Sequence, residues 1–443
     1  MPSDIIERSE QAVTHHIEGR ISEAETAYRA ILNEQPDHPA VLHNLGVLLA
    51  NSDRLNEAIK EFEKAILHDP NYEPALWSGA KALQQAERYE EAAEGYKKVI
   101  NVNPEHYGAH LALGKICLAL GRRDRALDFF ARTMDLRRGE NRADEISKSL
   151  TSTTRMKLRH DIQQFSYLAA KKRDTERIDS LKRAYEYAMK KIDWPDGDNT
   201  PVNMSAEELA MFGGSYNYPN FIADAAELAG GTVNSKLVVS EILDSFKTKT
   251  PGLAWFDGFL KEDALARLRR YLLCSSIWFD FSHIEGFLAA YLEDGLACPL
   301  VLQIAEDTRE KFPEILGNHP LVQAWAFKGI AGDKSIDIHA DDAAISLNFW
   351  VTPDIGNLSP ERGGLEVFTT LPPEDWALTD YNEDKILIKK FLDGQEDQKQ
   401  TIPYGENRAV LFDSKLFHGS DRPNFATDYE SHRINITMLF GRR

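Results

Sequence analysis

No stretch of this 443-residue chain comes near the roughly 20 consecutive apolar residues that span a bilayer. The opening segment, MPSDIIERSEQAV, has no basic run followed by an apolar run, so no secretory leader is read there. Cysteine is scarce. Cys117, Cys274 and Cys298 stand far apart, which excludes a disulfide framework and a cysteine-based zinc finger and fits free thiols in a reducing compartment. Positive charge is short as well: 52 Lys and Arg face 70 Asp and Glu, a formal net charge of −18. That argues against a broad nucleic-acid-binding face. The expectation is a soluble, cytoplasmic protein with no membrane or nucleic-acid partner, long enough for two or three domains.

What is present begins with a repeat. Pro36, Pro70 and Pro104 are spaced by 34 residues. The same spacing links Ala24, Ala58, Ala92 and Ala126, and also Tyr28, Phe62, Tyr96 and Phe130. A small residue keeps the register at Ala12, Gly46, Ala80 and Gly114. Small residues let the two helices of a hairpin approach closely, an aromatic fills the gap to the next hairpin, and proline ends each unit. The pattern resembles the tetratricopeptide repeat over about residues 5–138, and it implies an all-α superhelical domain at 1–138. The fourth unit departs, with Arg138 where proline is expected.

On that pattern the inner helices would turn His43, Val47, Trp77, Lys81, Leu111 and Lys115 into a concave groove. The groove either takes a peptide or protein, or is covered by the rest of the chain, or pairs two copies as a homodimer. The spread of Lys and Asn does not reproduce the clamp by which chaperone-binding members hold a terminal carboxylate, so that ligand is not expected.

Residues 139–250 read as a helical connector and loop-rich linker. MKLRHDIQQFSYLAAKKR places Leu158, Ile162, Phe165 and Leu168 on one face, and IDSLKRAYEYAMKKI places Ile178, Leu181, Tyr185 and Met189 on another. The basic residues between them read as a solvated face. WPDGDNTPVN and MFGGSYNYPNF, rich in Pro, Gly and Asn, read as loops. WFDGFLKEDALARLRRYLLCSS then predicts a short strand or turn and an amphipathic helix, and helical patterns continue to about residue 316.

After Pro320 the texture changes. LVQAWAF, AISLNFWV, GGLEVFTT, RAVLFDS and HRINITMLF are short β-prone runs separated by turn residues, with two long loops among them. IHADDAAISLNFW sets His339 and Asp341 at the mouth of a strand, and VLFDSKLFHGS ends another strand at His418. Two imidazoles and one carboxylate on one face of a metal leave the opposite positions open, the arrangement of non-haem Fe(II) oxygenases. Asp342 is the alternative carboxylate. In HRINITMLFG the alternation puts Arg433, Asn435 and Thr437 on one face. An inward guanidinium needs an anion, and its fork matches a carboxylate. Asn348 shares a strand face with Ser346 and Trp350, either as a contact to co-substrate or substrate or as a satisfied buried amide. Trp325 and Lys328 line a pocket or serve the scaffold. Trp376, Tyr381 and Tyr404 cover substrate or simply pack their loops. His432, His319 and His283 fall outside the pattern.

At this point residues 252–443, most tightly 321–443, resemble the 2-oxoglutarate-dependent Fe(II) oxygenases of the prolyl-hydroxylase-like superfamily. The resemblance implies an α+β double-stranded β-helix, of the jelly-roll or cupin type, in a domain at 251–443 with its core at 321–443. It implies that His339, Asp341 and His418 bind Fe(II), and that Arg433 binds the far carboxylate of 2-oxoglutarate. Two departures stand out: Arg433 lies fifteen residues after His418, a wider gap than usual, and Asn435 replaces the usual small hydroxyl residue. The implied activity is a dioxygenase that consumes O2 and 2-oxoglutarate and hydroxylates a protein or peptide recruited by the repeats. The alternatives are an oxygenase of small molecules whose repeats serve assembly, or a repeat scaffold with a relic oxygenase fold.

Overall fold

The computed structural model describes residues 2–140, 150–171, 174–250, 252–282, 286–330 and 335–442. They fall into two compact units, 1–133 and 134–443. No helix among the described residues is long and apolar enough to cross a membrane. Cys117, Cys274 and Cys298 are all buried, and none is in a disulfide.

The first unit is built of helical hairpins: α1 (Pro2–Ile17), α2 (Ile21–Glu34), α3 (Pro39–Ala50), α4 (Leu55–His68), α5 (Glu73–Gln85), α6 (Tyr89–Val102), α7 (Tyr107–Ala119) and the larger part of α8 (Arg123–Arg138). The repeat columns explain the packing. Phe62 on α4 lies against Gly46 on α3, where an added Cβ would meet the ring at 2.6 Å. Phe130 stands in the same relation to Gly114, at 3.1 Å. Tyr28, Phe62, Tyr96 and Phe130 are all buried, so each small residue makes the space that the aromatic sixteen positions later fills. Pro36, Pro70 and Pro104 fall in the connections after α2, α4 and α6, where a backbone donor is dispensable. His43, Val47, Trp77, Leu111 and Lys115 are half-buried and Lys81 is exposed, on α3, α5 and α7.

Among the described residues the second unit holds two larger antiparallel sheets, besides a short pairing of Ser152–Thr153 with Val202–Asn203. The strands of those two sheets are β1 (Leu253–Phe256), β2 (Phe287–Tyr291), β3 (Leu321–Gly329), β4 (Ile345–Trp350), β5 (Leu365–Phe368), β6 (Lys399–Ile402), β7 (Ala409–Asp413), β8 (His418–Ser420) and β9 (Ile434–Phe440). The larger sheet runs in the order β1-β7-β4-β9-β3-β2, the smaller β8-β5-β6. One apolar cluster joins them: Leu365, Val367 and Ile402 from the small sheet meet Trp350, Val410 and Phe412 from the large one. The chain order matters for the site. β4 is flanked by β7 and β9, so residues far apart in sequence share its inner face.

Two departures from the sequence reading have physical causes. β2 lies in a stretch read as helical. FLAAY is a short apolar run without alternation, and periodicity alone cannot tell such a buried strand from a helix. The long loop after β5 carries a helix, α13 below, at Lys385–Leu392. The connector belongs to the second compact unit. Its helices α9 (Arg155–Ala170) and α10 (Thr175–Lys191) bury Leu158, Phe165, Ile178 and Tyr185. The Gln164 amide on α9 donates to the carbonyls of Leu273 and Ser275 and to the Tyr429 hydroxyl at 2.9–3.2 Å. Two further helices complete the elements used below, α11 (Glu262–Cys274) and α12 (Pro299–Lys311), ahead of α13.

Candidate metal centre

His339 and Asp341 stand on the segment entering β4, and His418 opens β8. The two segments pair: the His339 N–H donates to the His418 carbonyl at 2.9 Å, and the His418 N–H returns to the His339 carbonyl at 2.8 Å. That exchange sets the two imidazoles side by side, with ring centroids 4.5 Å apart. Each ring then donates from Nδ1 to the carbonyl two residues before it, His339 to Asp337 at 2.9 Å and His418 to Leu416 at 3.0 Å. A carbonyl only accepts, so Nδ1 carries the proton and Nε2 keeps its lone pair. Both Nε2 atoms face Asp341, at 3.5 Å from Oδ1 and 3.5 Å from Oδ2 respectively. One ligand atom from each of the three residues lies within 4.8 Å of the others. Asp342, by contrast, is exposed.

The carboxylate is held as firmly as the rings. Asp341 is 3% exposed. Its Oδ2 accepts from Ser346 Oγ at 2.6 Å, and Ser346 Oγ lies 2.8 Å from Ser414 Oγ. Burial alone would raise the Asp341 carboxyl, but the two imidazoles and the Ser346 hydroxyl outweigh it and hold it at about 2. Burial holds His418 down at about 4 despite the neighbouring carboxylate. Burial also opposes the charge on His339, yet the Asp341 carboxylate prevails and raises it. The donor set is two imidazole nitrogens and one carboxylate oxygen, each steadied by its own hydrogen bond. It suits a divalent first-row metal bound on one face.

Arg433, 2% exposed, continues the line of β9. Its Nε donates to the Gly363 carbonyl at 2.7 Å, one terminal nitrogen to Asn435 Oδ1 at 2.8 Å, and the other to the Gly364 carbonyl at 3.5 Å. Among the described residues no carboxylate forms an ion pair with it. Burial lowers its guanidinium to about 10, which leaves it charged at neutral pH. It lies 5.8 Å from the Trp350 ring. Cross-strand register puts Thr437 opposite Asn348 and Asn435 opposite Trp350, so these side chains share the face on which Ser346 holds Asp341. On that face, on β4 itself, the buried Asn348 Oδ1 and Trp350 Nε1 lack a partner among the described residues.

The other residues singled out from the sequence divide. Trp325 is half-buried and pairs across to Thr437 on the same face. Lys328 is fully buried on the opposite face, and His432 is buried core. Tyr381 and Trp376 pack with Ala340 and Phe417, the neighbours of His339 and His418, in a cluster shared with α13. Tyr404 belongs to the cluster between the sheets. His319 packs against Gly441, away from the triad; His283 lies outside the described residues. Sequence reasoning missed Ser414 and the carbonyls of Asp337 and Leu416. Ser414 follows no spacing rule, and a backbone carbonyl leaves no mark on residue identity.

Residues 16–83 and 83–145 match the tetratricopeptide repeat family. No curated protein matches the chain. Among solved structures it is similar to MamA, at 21% identity over 28% of this chain and 73% of that one, with a TM-score of 0.28. It is also similar to the first tetratricopeptide unit of Spaghetti (RPAP3) bound to an HSP90 peptide, at 21% identity over 26% and 95%, with a TM-score of 0.26. YrrB, a tetratricopeptide protein with an unusual peptide-binding site, aligns at 18% identity over 28% and 64%, with a TM-score of 0.27.

Proposed function

We propose that the β-rich unit is an Fe(II)- and 2-oxoglutarate-dependent dioxygenase that hydroxylates a protein or peptide. One observation carries the reading. A His-Asp-His triad and a buried arginine with no carboxylate partner among the described residues flank the same inner sheet face, with two unpartnered polar atoms, on Asn348 and Trp350, between them. An uncompensated buried cation is costly, and a bound dicarboxylate offsets that cost. Gly364, which accepts from Arg433, lies three residues along β5 from Val367, the partner of His418, a span of about 10 Å.

His339, Asp341 and His418 would hold the iron. When bound it supplies the activation of O2 that oxidises 2-oxoglutarate to succinate and CO2, leaving one oxygen atom for a substrate C–H bond. The protein's own residues do the rest. Ser346 and Ser414 keep the Asp341 carboxylate oriented, and the Asp337 and Leu416 carbonyls keep each Nε2 free. Arg433 fixes the far carboxylate of the co-substrate while Asn435 fixes Arg433. Asn348 Oδ1 and Trp350 Nε1 offer one acceptor and one donor to what lies between. The Trp376–Tyr381 cluster shields the triad's flank from water. In the repeats, the half-buried Trp77 and His43 with Lys81 and Lys115 make the groove the candidate recruiting surface.

The test is iron-dependent succinate release from 2-oxoglutarate by the full chain, followed by mass spectrometry of protein fractions for a gain of one oxygen atom. About one Fe(II) per chain and succinate release are expected. Neither iron binding nor turnover would leave the chain a tetratricopeptide scaffold with a non-catalytic β region.

A further inference from the structure

A cavity of about 520 Å³ lies within the second unit beside the inner sheet face, bordered by Tyr291 of β2 and Gln323 of β3. It is not part of the triad. Register ties it to the metal centre: Gln323 pairs with Leu439, and Leu439 pairs with Ser346, the residue that holds Asp341. Two strand spacings separate Gln323 from Ser346, about 10 Å.

The cavity's polar atoms are unbalanced in kind. Three side chains lining it carry a buried oxygen without a partner among the described residues: Asn217 Oδ1, Glu293 Oε2 and Gln323 Oε1. Asn217 is 6% exposed, and its amide nitrogen is already committed to the Leu150 carbonyl at 2.9 Å. All three atoms are acceptors, and among the described residues no buried side-chain donor on the lining lacks a partner. The two arginines present do not supply them. Arg137 and Arg138 both bond the buried Asp294 at 3.0 Å, and the Arg138 guanidinium lies 4.4 Å from the Phe279 ring centroid. Formal charge leans the same way, with Asp280, Glu293 and Asp294 against those two cations. Buried acceptors without donors are costly, and an aromatic wall favours a cation.

We infer that this cavity receives a lysine or arginine side chain of the substrate, whose N–H groups meet the unpartnered oxygens of Asn217, Glu293 and Gln323. The inference rests on the oxygenase reading for its meaning, since it fixes a basic residue beside Gln323, two strand spacings from the Ser346 that holds Asp341. An acidic ligand is disfavoured because three carboxylates line the cavity against two arginines, each already bonded to Asp294.

Nα-acetyl-arginine amide, Nα-acetyl-lysine amide, Nα-acetyl-glutamate amide and Nα-acetyl-leucine amide are titrated into the full-length, metal-free protein by ligand-observed NMR. At least one basic probe should bind at least tenfold more tightly than the glutamate and leucine probes. Glu293→Gln and Gln323→Leu should each weaken it by about tenfold, the loss of one hydrogen bond to a charged group. Should one variant fail to fold by circular dichroism, the other carries the test. Equal binding of all four probes, no binding by either basic probe, preference for the glutamate probe, or basic-probe binding unmoved by the folded variants overturns the inference. Because iron and 2-oxoglutarate are absent, these outcomes are independent of succinate release, which alone decides the oxygenase reading.

Discussion

The two faces of the six-stranded sheet both bury charge, and they do so to different ends. On the inner face His339, Asp341 and His418 converge on one point, each aimed by a separate hydrogen bond. On the outer face α9 brings Lys157, His160 and Asp161 up to Lys328 and His432. There Asp161 is consumed locally, bonded to Lys157 and, at 3.1 Å, to His160 Nδ1. Lys328 Nζ has no hydrogen-bond partner among the described residues and lies 3.5 Å from the Tyr429 ring centroid and 5.5 Å from that of Trp278. Burial alone therefore does not mark a site. Convergence of ligand atoms does, and a cluster whose members neutralise one another or sit against aromatic rings is a packing solution.

The sharpest way to break this contrast is His339→Ala. Iron content should fall from about one per chain to near zero, with complete loss of 2-oxoglutarate turnover. Metal analysis after anaerobic loading and a succinate assay measure both; retained turnover removes the triad from the inner face's account. Next is Arg433→Gln. A charge pair broken from one side costs about 2–5 kcal/mol, so the 2-oxoglutarate requirement should rise roughly 30- to several-thousand-fold while iron stays bound. Arg433→Lys, which keeps the charge but not the fork, should be intermediate. Wild-type concentration dependence in the glutamine variant would hand the carboxylate to another residue. Arg408 is already paired with Asp257 at 2.6 Å, so the exposed Arg422 would be examined first.

The outer face should behave in the opposite way. Asp161→Asn leaves Lys157 buried without its counter-charge, a loss of about 3–5 kcal/mol in stability. Urea unfolding reads that loss, and iron binding measured on the same protein should not change. A drop in iron affinity would show the two faces to be one coupled system.

The smallest effect is graded with pH. Burial pulls His432 down to about 3 and His160 well below its usual range. Below about pH 6.5 the unfolded chain therefore takes up protons that the native histidines refuse, and stability falls as pH drops. Each histidine contributes a slope of about 1.4 kcal/mol per pH unit there. Lys328, also lowered by burial, acts with the same sign over the range below its unfolded value. Asp161, whose carboxyl burial raises, opposes them. Thermal melts should shift downward between pH 7 and 5.5; a flat or rising profile would mean that these histidines are charged in the native protein.

Legibility followed the range of the interactions. The repeats could be read because hairpin packing is local: Gly46 and Phe62 are sixteen positions apart, and the same pair recurs every 34. The strands flanking the triad could be read from alternation and turn residues. β2 could not, because a strand buried on both faces has no alternation. The helix at Lys385–Leu392 was hidden by its short length inside a long connection.

By itself, the sequence determined which chemistry was on hand: two histidines, an aspartate and an arginine at strand ends, and a helical repeat in register over four units. It could not decide their partners. Only the tertiary structure pairs the His339 and His418 segments, closes Ser346 and Ser414 over Asp341, and leaves Arg433 among backbone carbonyls. Alternation already separates Trp325 from Lys328, three positions on; the tertiary structure decides that Lys328 is the one turned away from the triad. The physical reason is that periodicity reports which residues of one element share a face. Which face then meets metal, substrate or another helix depends on strand order, and strand order is set by contacts between residues far apart in the chain.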